Sequence, residues 1–296
     1  MLLARPPRRR AVARGPVSAA EVRAILARHG LRAQRSRGQN FLVDDALAAR
    51  LVDLAGVEEG DGVLEIGTGL GVMTRALAAR AARVVTLEVD SGIVRALLAE
   101  GALPAKVELI HADALRADLA SLLRGLGSPA RVVANLPYSI SAPVLRRLLE
   151  VRELLVDWSV MLQREVARRL VAPPGSRDYG SLGVLHGLVT RVEAKLELPP
   201  GCFYPVPRVR SSFLRIAPLA HALVAPGELG AVEAILRRAF GMRRKTLANA
   251  LREFGASPES LAQALDEVGI DRRARAEQLP AARFVALARA LRARAA

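Results

Sequence analysis

Gly62-Val63-Leu64-Glu65-Ile66-Gly67-Thr68-Gly69-Leu70-Gly71 is the stretch that settles the architecture. A short apolar run passes into glycines at alternate positions, and a helix-forming segment over 72–80 follows. Strand, glycine turn and helix in that order open a nucleotide-binding α/β unit. The spacing is G-x-G-x-G. A dinucleotide fingerprint wants a small residue at position 72, and Val72 stands there instead. Without a pyrophosphate to cradle, such glycines let the backbone come close to an adenosine and an amino-acid tail. Alone the motif is weak, and the segments on either side decide its meaning.

Downstream, Arg83-Val84-Val85-Thr86-Leu87 reads as a second strand and ends at Glu88-Val89-Asp90. An acid at that point is placed to accept both hydroxyls of a ribose. Period-2 geometry puts Glu88 and Asp90 on one face. One of them is expected on the ribose and the other as the cap of a helix starting near Ser91. A third strand, 107–110, leads to Asp113, placed to accept from an adenine amino group. Each acid taken singly is equally a cap or a solvated turn. Three successive strands ending in Gly, Glu and Asp argue against that reading for all of them.

A fourth strand, 131–134, runs into Asn135-Leu136-Pro137-Tyr138. Pro137 fixes its own φ and pushes Leu136 toward extended geometry, so the carbonyls there are held stiffly. Asn135 adds an acceptor and two donors. Tyr138 adds a flat face. Rigid acceptors beside a stacking face suit a nucleobase with an exocyclic amino group. On these four residues alone the plainer reading, an Asx-Pro turn with Tyr138 as core filler, is the stronger one. Next, Ser141 and Pro143 open a helix to about Leu149, and 158–162 reads as a fifth strand. A helix from Gln163 to Leu170 carries Arg164, Arg168 and Arg169, equally a solvated face or an RNA contact.

Residues 173–181 read as an exposed loop and 192–198 as a strand. The run 199–213 then packs three of the chain's ten aromatic residues among four prolines. Phe203 and Tyr204 beside prolines are expected to form a stiff loop presenting rings, opposite Tyr138, with Arg208 and Arg210 on phosphates. Core packing is the alternative, stronger for Phe213 than for Phe203. Cys202, the single cysteine, reads as a small buried filler. It rules out an internal disulfide and fits a reducing, cytoplasmic setting.

Upstream, Asp44-Asp45 caps a helix running to about Ala55, and Ser18 with Glu21 opens another over 18–29 as a capping box. Between them, Gly38 permits a bend before the amides Gln39 and Asn40 and the apolar anchor Phe41-Leu42. Residues 1–17 hold no acid and are expected to be a disordered basic extension. It reads as a phosphate-gripping arm or a plain extension rather than a transit peptide, because 6–10 contain two prolines.

The formal charge is +15, and its placement is uneven. Residues 1–37 carry ten arginines against Glu21 alone, or +9, and 216–296 carry +5, which leaves +1 for 38–215. Such ends point to a polyanion, most often nucleic acid. No stretch approaches the apolar length that spans a bilayer. Helical patterns close the chain at 228–240, 243–253, 259–268 and 280–294, with Arg243-Arg244-Lys245-Thr246 starting the second and Gly255 and Pro258 in the turn after it. This basic, helical end is apt for shape-and-phosphate contact with structured RNA.

In this order the motifs resemble the bacterial small-subunit ribosomal RNA adenine dimethyltransferases, the family of the kasugamycin-resistance methylase. The matching pieces are Gly38-Gln39-Asn40-Phe41-Leu42, 65–71, Glu88-Val89-Asp90, Asp113-Ala114 and Asn135-Leu136-Pro137-Tyr138. They continue through 161–166, Phe203-Tyr204-Pro205-Val206-Pro207, Arg243-Arg244-Lys245-Thr246 and Arg275-Ala276-Glu277. Thr68 stands where many members have proline, Ser139 where many have asparagine, and Arg37 where an aromatic or aliphatic residue is usual.

The resemblance implies an α/β, Rossmann-like class I methyltransferase domain with a mostly parallel sheet, over 18–220. A small helical RNA-binding domain over 221–296 follows it. It implies S-adenosylmethionine as cofactor and no metal. Gln39, Asn40 and Leu42 would line the methionine end, Gly67 and Gly69 the turn, Glu88 the ribose and Asp113 the adenine, with Asn135 where cofactor meets target. Asn135, Leu136 and Pro137 would act on the target amine, and Tyr138 and Phe203 would sandwich the flipped base. The implied product is N6,N6-dimethyladenine at two adjacent adenosines in a hairpin loop near the 3′ end of 16S rRNA, within the small subunit or its precursor. RNA contacts are expected from Arg208, Arg210, Arg243, Arg244 and Lys245, and the protein is expected to be a monomer away from membranes.

Two further readings stay open. One is a 23S rRNA adenine methyltransferase of the macrolide-resistance type, against which Leu136 and the Phe-Tyr-Pro-Val-Pro loop argue. The other is a non-catalytic assembly factor, against which the cofactor acids argue. A nicotinamide oxidoreductase is disfavoured by Val72 and by the lack of a hydride-transfer acid/base pair.

Overall fold

The computed structural model describes residues 18–34, 38–127, 129–242, 244–252, 254 and 257–295. The basic extension over 1–17, with Arg37, Arg243 and Gly255, lies outside them. A two-residue strand, β1 (Phe41–Leu42), comes first. The apolar runs then give β2 (Gly62–Ile66), β3 (Arg83–Glu88), β4 (Val107–His111), β5 (Ala130–Asn135), β6 (Leu155–Gln163) and β7 (Thr190–Leu198). The short β8 (Phe203–Tyr204) and β9 (Ser211–Pro218) complete the strands.

Seven of these strands form one sheet in the order β4-β3-β2-β5-β6-β9-β7. The pairs from β4 to β6 are parallel, and β9 runs antiparallel between β6 and β7. This is the α/β class and mostly parallel sheet expected from the sequence. Strand order reverses between β2 and β5. In open α/β sheets, ligands bind in the crevice outside the carboxyl ends of the strands at such a reversal. The glycine turn and Asn135 stand at those two carboxyl ends.

Helices cover both faces, so β2 is buried along its whole length. Alternate residues part: Val63 and Val133 face one apolar cluster, and Leu64 and Val132 face the other. The first cluster takes helices α1 (Ala19–Arg28), α2 (Asp45–Leu54), α3 (Val72–Arg80) and α4 (Ser91–Glu100). The second takes α5 (Leu119–Gly125), α6 (Ser141–Glu150), α7 (Arg164–Leu170) and α8 (Ser181–Gly187). Ser18 and Asp44 cap α1 and α2 through the N–H groups of Glu21 and Leu47.

The C-terminal helices are α9 (Leu229–Gly241), α10 (Leu247–Leu251), α11 (Pro258–Glu267) and α12 (Ala281–Ala295). Leu236 and Phe284 lie in the same apolar cluster as Trp158 on the sheet, so this region shares the core of the sheet. Two expectations change here. Residues 173–181 are not simply an exposed loop, because Tyr179 is 4% exposed. Its hydroxyl donates to the Leu279 carbonyl at 2.8 Å, and its ring meets Phe240 edge-on. The helix expected over 243–253 begins only at Leu247, because Thr246 accepts the Asn249 N–H as its cap. Arg244 and Lys245 therefore sit exposed in the preceding turn. The sequence reading also passed over α8. Its two glycines weaken the helical signal, yet Gly183 is required there: a Cβ would stand 2.2 Å from the Arg169 carbonyl oxygen. On α7, Arg168 pairs with Asp178 at 2.7 Å and Arg169 pairs with Glu165, which favours the solvated-face reading of those two.

Candidate active site

Three glycines in left-handed geometry build the turn after β2, with φ of +89° at Gly67, +53° at Gly69 and +77° at Gly71. A Cβ on Gly67 would stand 3.2 Å from the Asn135 carbonyl oxygen, and one on Gly69 would stand 3.2 Å from the Phe41 ring. The turn is thus pressed between the end of β5 and the β1 segment. The N–H groups of Gly67 and Thr68 donate to the Leu87 carbonyl at 2.9 and 3.3 Å. That ties the turn to the end of β3, beside Glu88.

The two acids that follow β3 divide their work. Glu88 is 7% exposed and faces the cleft beside the turn. Its Oε2 accepts the Gly69 N–H and its Oε1 accepts the Asp90 N–H, both at 2.9 Å. Burial pushes its carboxyl above the usual carboxylate range, while the backbone donors pull the other way. Asp90 is the cap: Oδ1 accepts from Gly92 and Ile93 at the start of α4. Its Oδ2 accepts from Gln39 Nε2 at 3.2 Å, which anchors the segment before β1. Asp113 lines the cleft at the end of β4 while Oδ1 accepts the Leu115 N–H at 2.9 Å.

The segment before β1 crosses directly over the end of β5. Gly38 has φ +68°, and a Cβ there would stand 3.0 Å from the Tyr138 nitrogen. Asn40 Nδ2 donates to the Gly38 carbonyl, and Asn135 Nδ2 donates to the Asn40 carbonyl, each at 3.0 Å. With one of its two N–H donors used there, Asn135 keeps Oδ1 as an acceptor. Leu136 is buried at 2% exposure, at the wall of the cleft. The Tyr138 hydroxyl shares a hydrogen bond of 2.8 Å with Ser211 Oγ at the start of β9. Burial raises the Tyr138 pKa, and Ser211 lowers it.

These groups surround one open cleft. It gathers Gln39, Asn40, Leu42, Gly67, Gly69, Glu88, Asp113 and Asn135 through Tyr138. It also takes in residues the sequence reading did not single out. Val89 is 53% exposed between the two acids, and Ile140 follows Tyr138. An apolar residue flanked by Glu88 and Asp90 was the available signal for Val89. Such a cleft fits a nucleoside with a polar tail: a carboxylate for a diol, apolar Val89 and Ala112 for a ring, and open backbone at the turn.

Phe203 is a correction. It is 1% exposed, belongs to the core cluster and does not line the cleft. The short β8 pairs antiparallel with β1, Leu42 opposite Phe203 and Phe41 opposite Tyr204, and this pairing turns Phe203 inward. The partly buried Tyr204 ring instead carries the Arg23 guanidinium at 5.8 Å. Beyond β8 the turn exposes Arg208 and Arg210, with Val206 61% and Val209 44% exposed.

A family model described as ribosomal RNA adenine dimethylase matches residues 30–292. A relative named ribosomal RNA small subunit methyltransferase A, from Methylobacterium radiotolerans, is 42% identical over 273 residues, covering 90% of this chain and 91% of that protein. Among solved structures, a dimethyladenosine transferase from Plasmodium falciparum matches with TM-score 0.67 at 23% identity, over 83% of this chain and 95% of that one. The 23S rRNA methyltransferase ErmE matches with TM-score 0.61 at 25% identity, over 86% and 100%.

Proposed function

The chain belongs to the ribosomal RNA adenine dimethylase family, and from that premise we propose that it dimethylates N6 of two adjacent adenosines in a hairpin loop near the 3′ end of 16S rRNA. The observation that carries the chemistry is Asn135, which lines the cleft with Tyr138 and whose Nδ2 donates one hydrogen to the Asn40 carbonyl at 3.0 Å. That bond orients the amide and leaves Oδ1 as an acceptor.

Bound S-adenosylmethionine supplies an electrophilic methyl group. Glu88 would hold the ribose hydroxyls and Asp113 the adenine amino group, with Val89 and Ala112 offering apolar surface to the ring. Gln39, Asn40 and Leu42 would hold the amino-acid end near the turn at Gly67 and Gly69. The target N6 is a poor nucleophile, because its lone pair is delocalised into the ring. Asn135 Oδ1 and the Leu136 carbonyl accept its two hydrogens and localise that pair toward the methyl group. Pro137 fixes the second acceptor in place. No strong base is needed, since the alkylated nitrogen becomes acidic and loses its proton late. Tyr138 stacks on the flipped base. Phe203, buried behind Leu42, supports the wall rather than closing the sandwich. Arg208, Arg210, Arg244 and Lys245 are exposed for phosphate contact; Arg243, assigned the same role, lies outside the described residues. The protein acts as a monomer in the cytoplasm, and no described helix is long and apolar enough to cross a membrane.

Labelled S-adenosylmethionine, undermethylated small subunits and a large-subunit control test this, with nucleoside digestion afterwards. Dimethyladenosine from small subunits alone is expected. The likeness to ErmE supports a second reading, a 23S rRNA target, and label confined to large subunits would establish it instead. Loss of the Tyr138 hydroxyl has a smaller, separable effect. Tyr138→Phe keeps the stacking face but releases the ring from Ser211, worth about 1 kcal/mol or roughly fivefold. We expect it in KM for the subunit, with cofactor affinity unchanged, in steady-state assays of each substrate.

A further inference from the structure

Beneath the glycine turn lies a buried set of side chains that the chemistry above does not use. Glu65 on β2 is 1% exposed, Thr86 on β3 and Thr74 on α3 are 0%, and Thr68 in the turn is 4%. Glu65 and Thr86 are register partners. Glu65 Oε2 accepts from Thr74 Oγ1 and from Thr86 Oγ1, each at 2.6 Å. The Thr86 proton is then committed, so at the 2.7 Å contact between Thr86 and Thr68 it is Thr68 that donates. The chain of donors runs one way, from the turn down to the acid. Glu65 Oε1 has no partner.

Thr68 lines the cofactor cleft. It stands between two glycines of left-handed φ, where the backbone has most freedom to move. A threonine does not fix φ as a proline would. Here its hydroxyl is held from below by Thr86.

We propose that Glu65 is a positioning residue for the cofactor, acting through Thr86 on Thr68 to hold the glycine turn in its binding shape. The proposal rests on the reading of the cleft as the S-adenosylmethionine site. Glu65 serves in this role as a neutral acid whose Oε2 accepts from both threonines. Its pKa is raised to about 8, chiefly by burial and in smaller part by Glu88 on β3, against the opposing pull of Thr74, Thr86 and Arg75. A raised acid is neutral below its folded pKa. The relay is therefore intact at neutral pH, and above pH 8 it gains a buried negative charge beside Glu88.

The test is S-adenosylhomocysteine binding by calorimetry on the full chain, alongside thermal unfolding and methyl transfer. Thr86→Val removes both links and is expected to weaken binding about tenfold, the size of one lost hydrogen bond to a charged or strongly polar group. Thr86→Ser is expected to recover it to within about twofold, since it restores the hydroxyl. At saturating cofactor, kcat is expected to stay close to wild type, because the relay touches neither the methyl group nor the target. Thr68→Val combined with Thr86→Val is expected to be no weaker than Thr86→Val alone, because the two act in series. Wild type is expected to lose affinity between pH 7 and pH 9, and Glu65→Gln, neutral at every pH, is expected to abolish that fall.

Wild-type affinity for S-adenosylhomocysteine in Thr86→Val, with only a lowered melting temperature, would reduce the relay to core packing and overturn the proposal. If Thr86→Val does not fold, Thr68→Val alone decides the matter on the same two readouts. Failure of the wild type itself to bind S-adenosylhomocysteine would instead sink the reading of the cleft.

Discussion

Asn135→Ala is expected to lower kcat roughly a thousandfold, the upper end of what one preorganised polar group contributes at a reacting centre. The expectation comes from what its side chain is left to do. Its Nδ2 donates to the Asn40 carbonyl at 3.0 Å, which fixes the plane of the amide. Its Oδ1 is thereby held in place before any target arrives, so no reorganisation is needed when N6 develops positive charge. Alanine removes the acceptor and leaves nothing of similar reach. The Leu136 carbonyl can engage one N6 hydrogen, but the other is lost to the site. Asn135→Asp keeps an acceptor yet places oxygen against the Asn40 carbonyl oxygen, so the aspartate should turn away. It is expected to lose at least about a hundredfold for that reason. Single-turnover methyl transfer on small subunits reads the chemical step. Cofactor affinity of Asn135→Ala should fall only about fivefold, through the loosened Asn40 segment. Activity within tenfold of wild type would remove Asn135 from the chemistry.

The parts of this site that could be read from the sequence are those where a backbone need restricts the residue type. Gly67, Gly69 and Gly71 are visible because the turn demands positive φ at all three. Glu88, Asp113 and Asn135 are visible because each ends a parallel strand, and strand ends converge on one crevice. Which of Glu88 and Asp90 faces the ligand was not decidable, since both lie on one face of the strand. The structure gives Asp90 the cap, on Gly92 and Ile93, and puts Glu88 in the lining of the cleft. Phe203 was misread for a different reason. Prolines and scarce aromatics suggested a presented ring, but β8 pairs with the distant β1, Leu42 opposite Phe203, and the pairing sets which ring points inward. No local pattern carries that information. The same holds for α8, whose Gly183 answers to the Arg169 carbonyl rather than to its own helix. Thr68 looked like a neutral departure from the proline common among relatives, and only the register of Glu65 with Thr86 shows what lies beneath it.

Glu88→Ala should act on binding where Asn135→Ala acts on turnover, and the contrast tests the whole assignment. Glu88 holds two backbone N–H groups, those of Gly69 and Asp90, at 2.9 Å each. It is 7% exposed, so neither donor would find bulk water in its absence. Each unsatisfied donor costs about 1–3 kcal/mol, and part of that appears as a melting temperature lowered by several degrees. The ribose then loses its acceptor as well. Together these are expected to weaken S-adenosylhomocysteine binding at least about a hundredfold. Glutamine should not rescue it. Its single carbonyl oxygen can serve Gly69 or Asp90, and its NH₂ then points donor against donor at the other. Aspartate, one methylene shorter, keeps two acceptors but cannot span both N–H groups, and should fall between glutamate and alanine. If Glu88 serves the ribose, as proposed, kcat at saturating cofactor should return to near wild type in Glu88→Asp, whereas no cofactor concentration restores Asn135→Ala. A Glu88→Asp enzyme with unchanged cofactor KM and a collapsed kcat would place Glu88 in the chemical step and reverse the division of labour between the ends of β3 and β5.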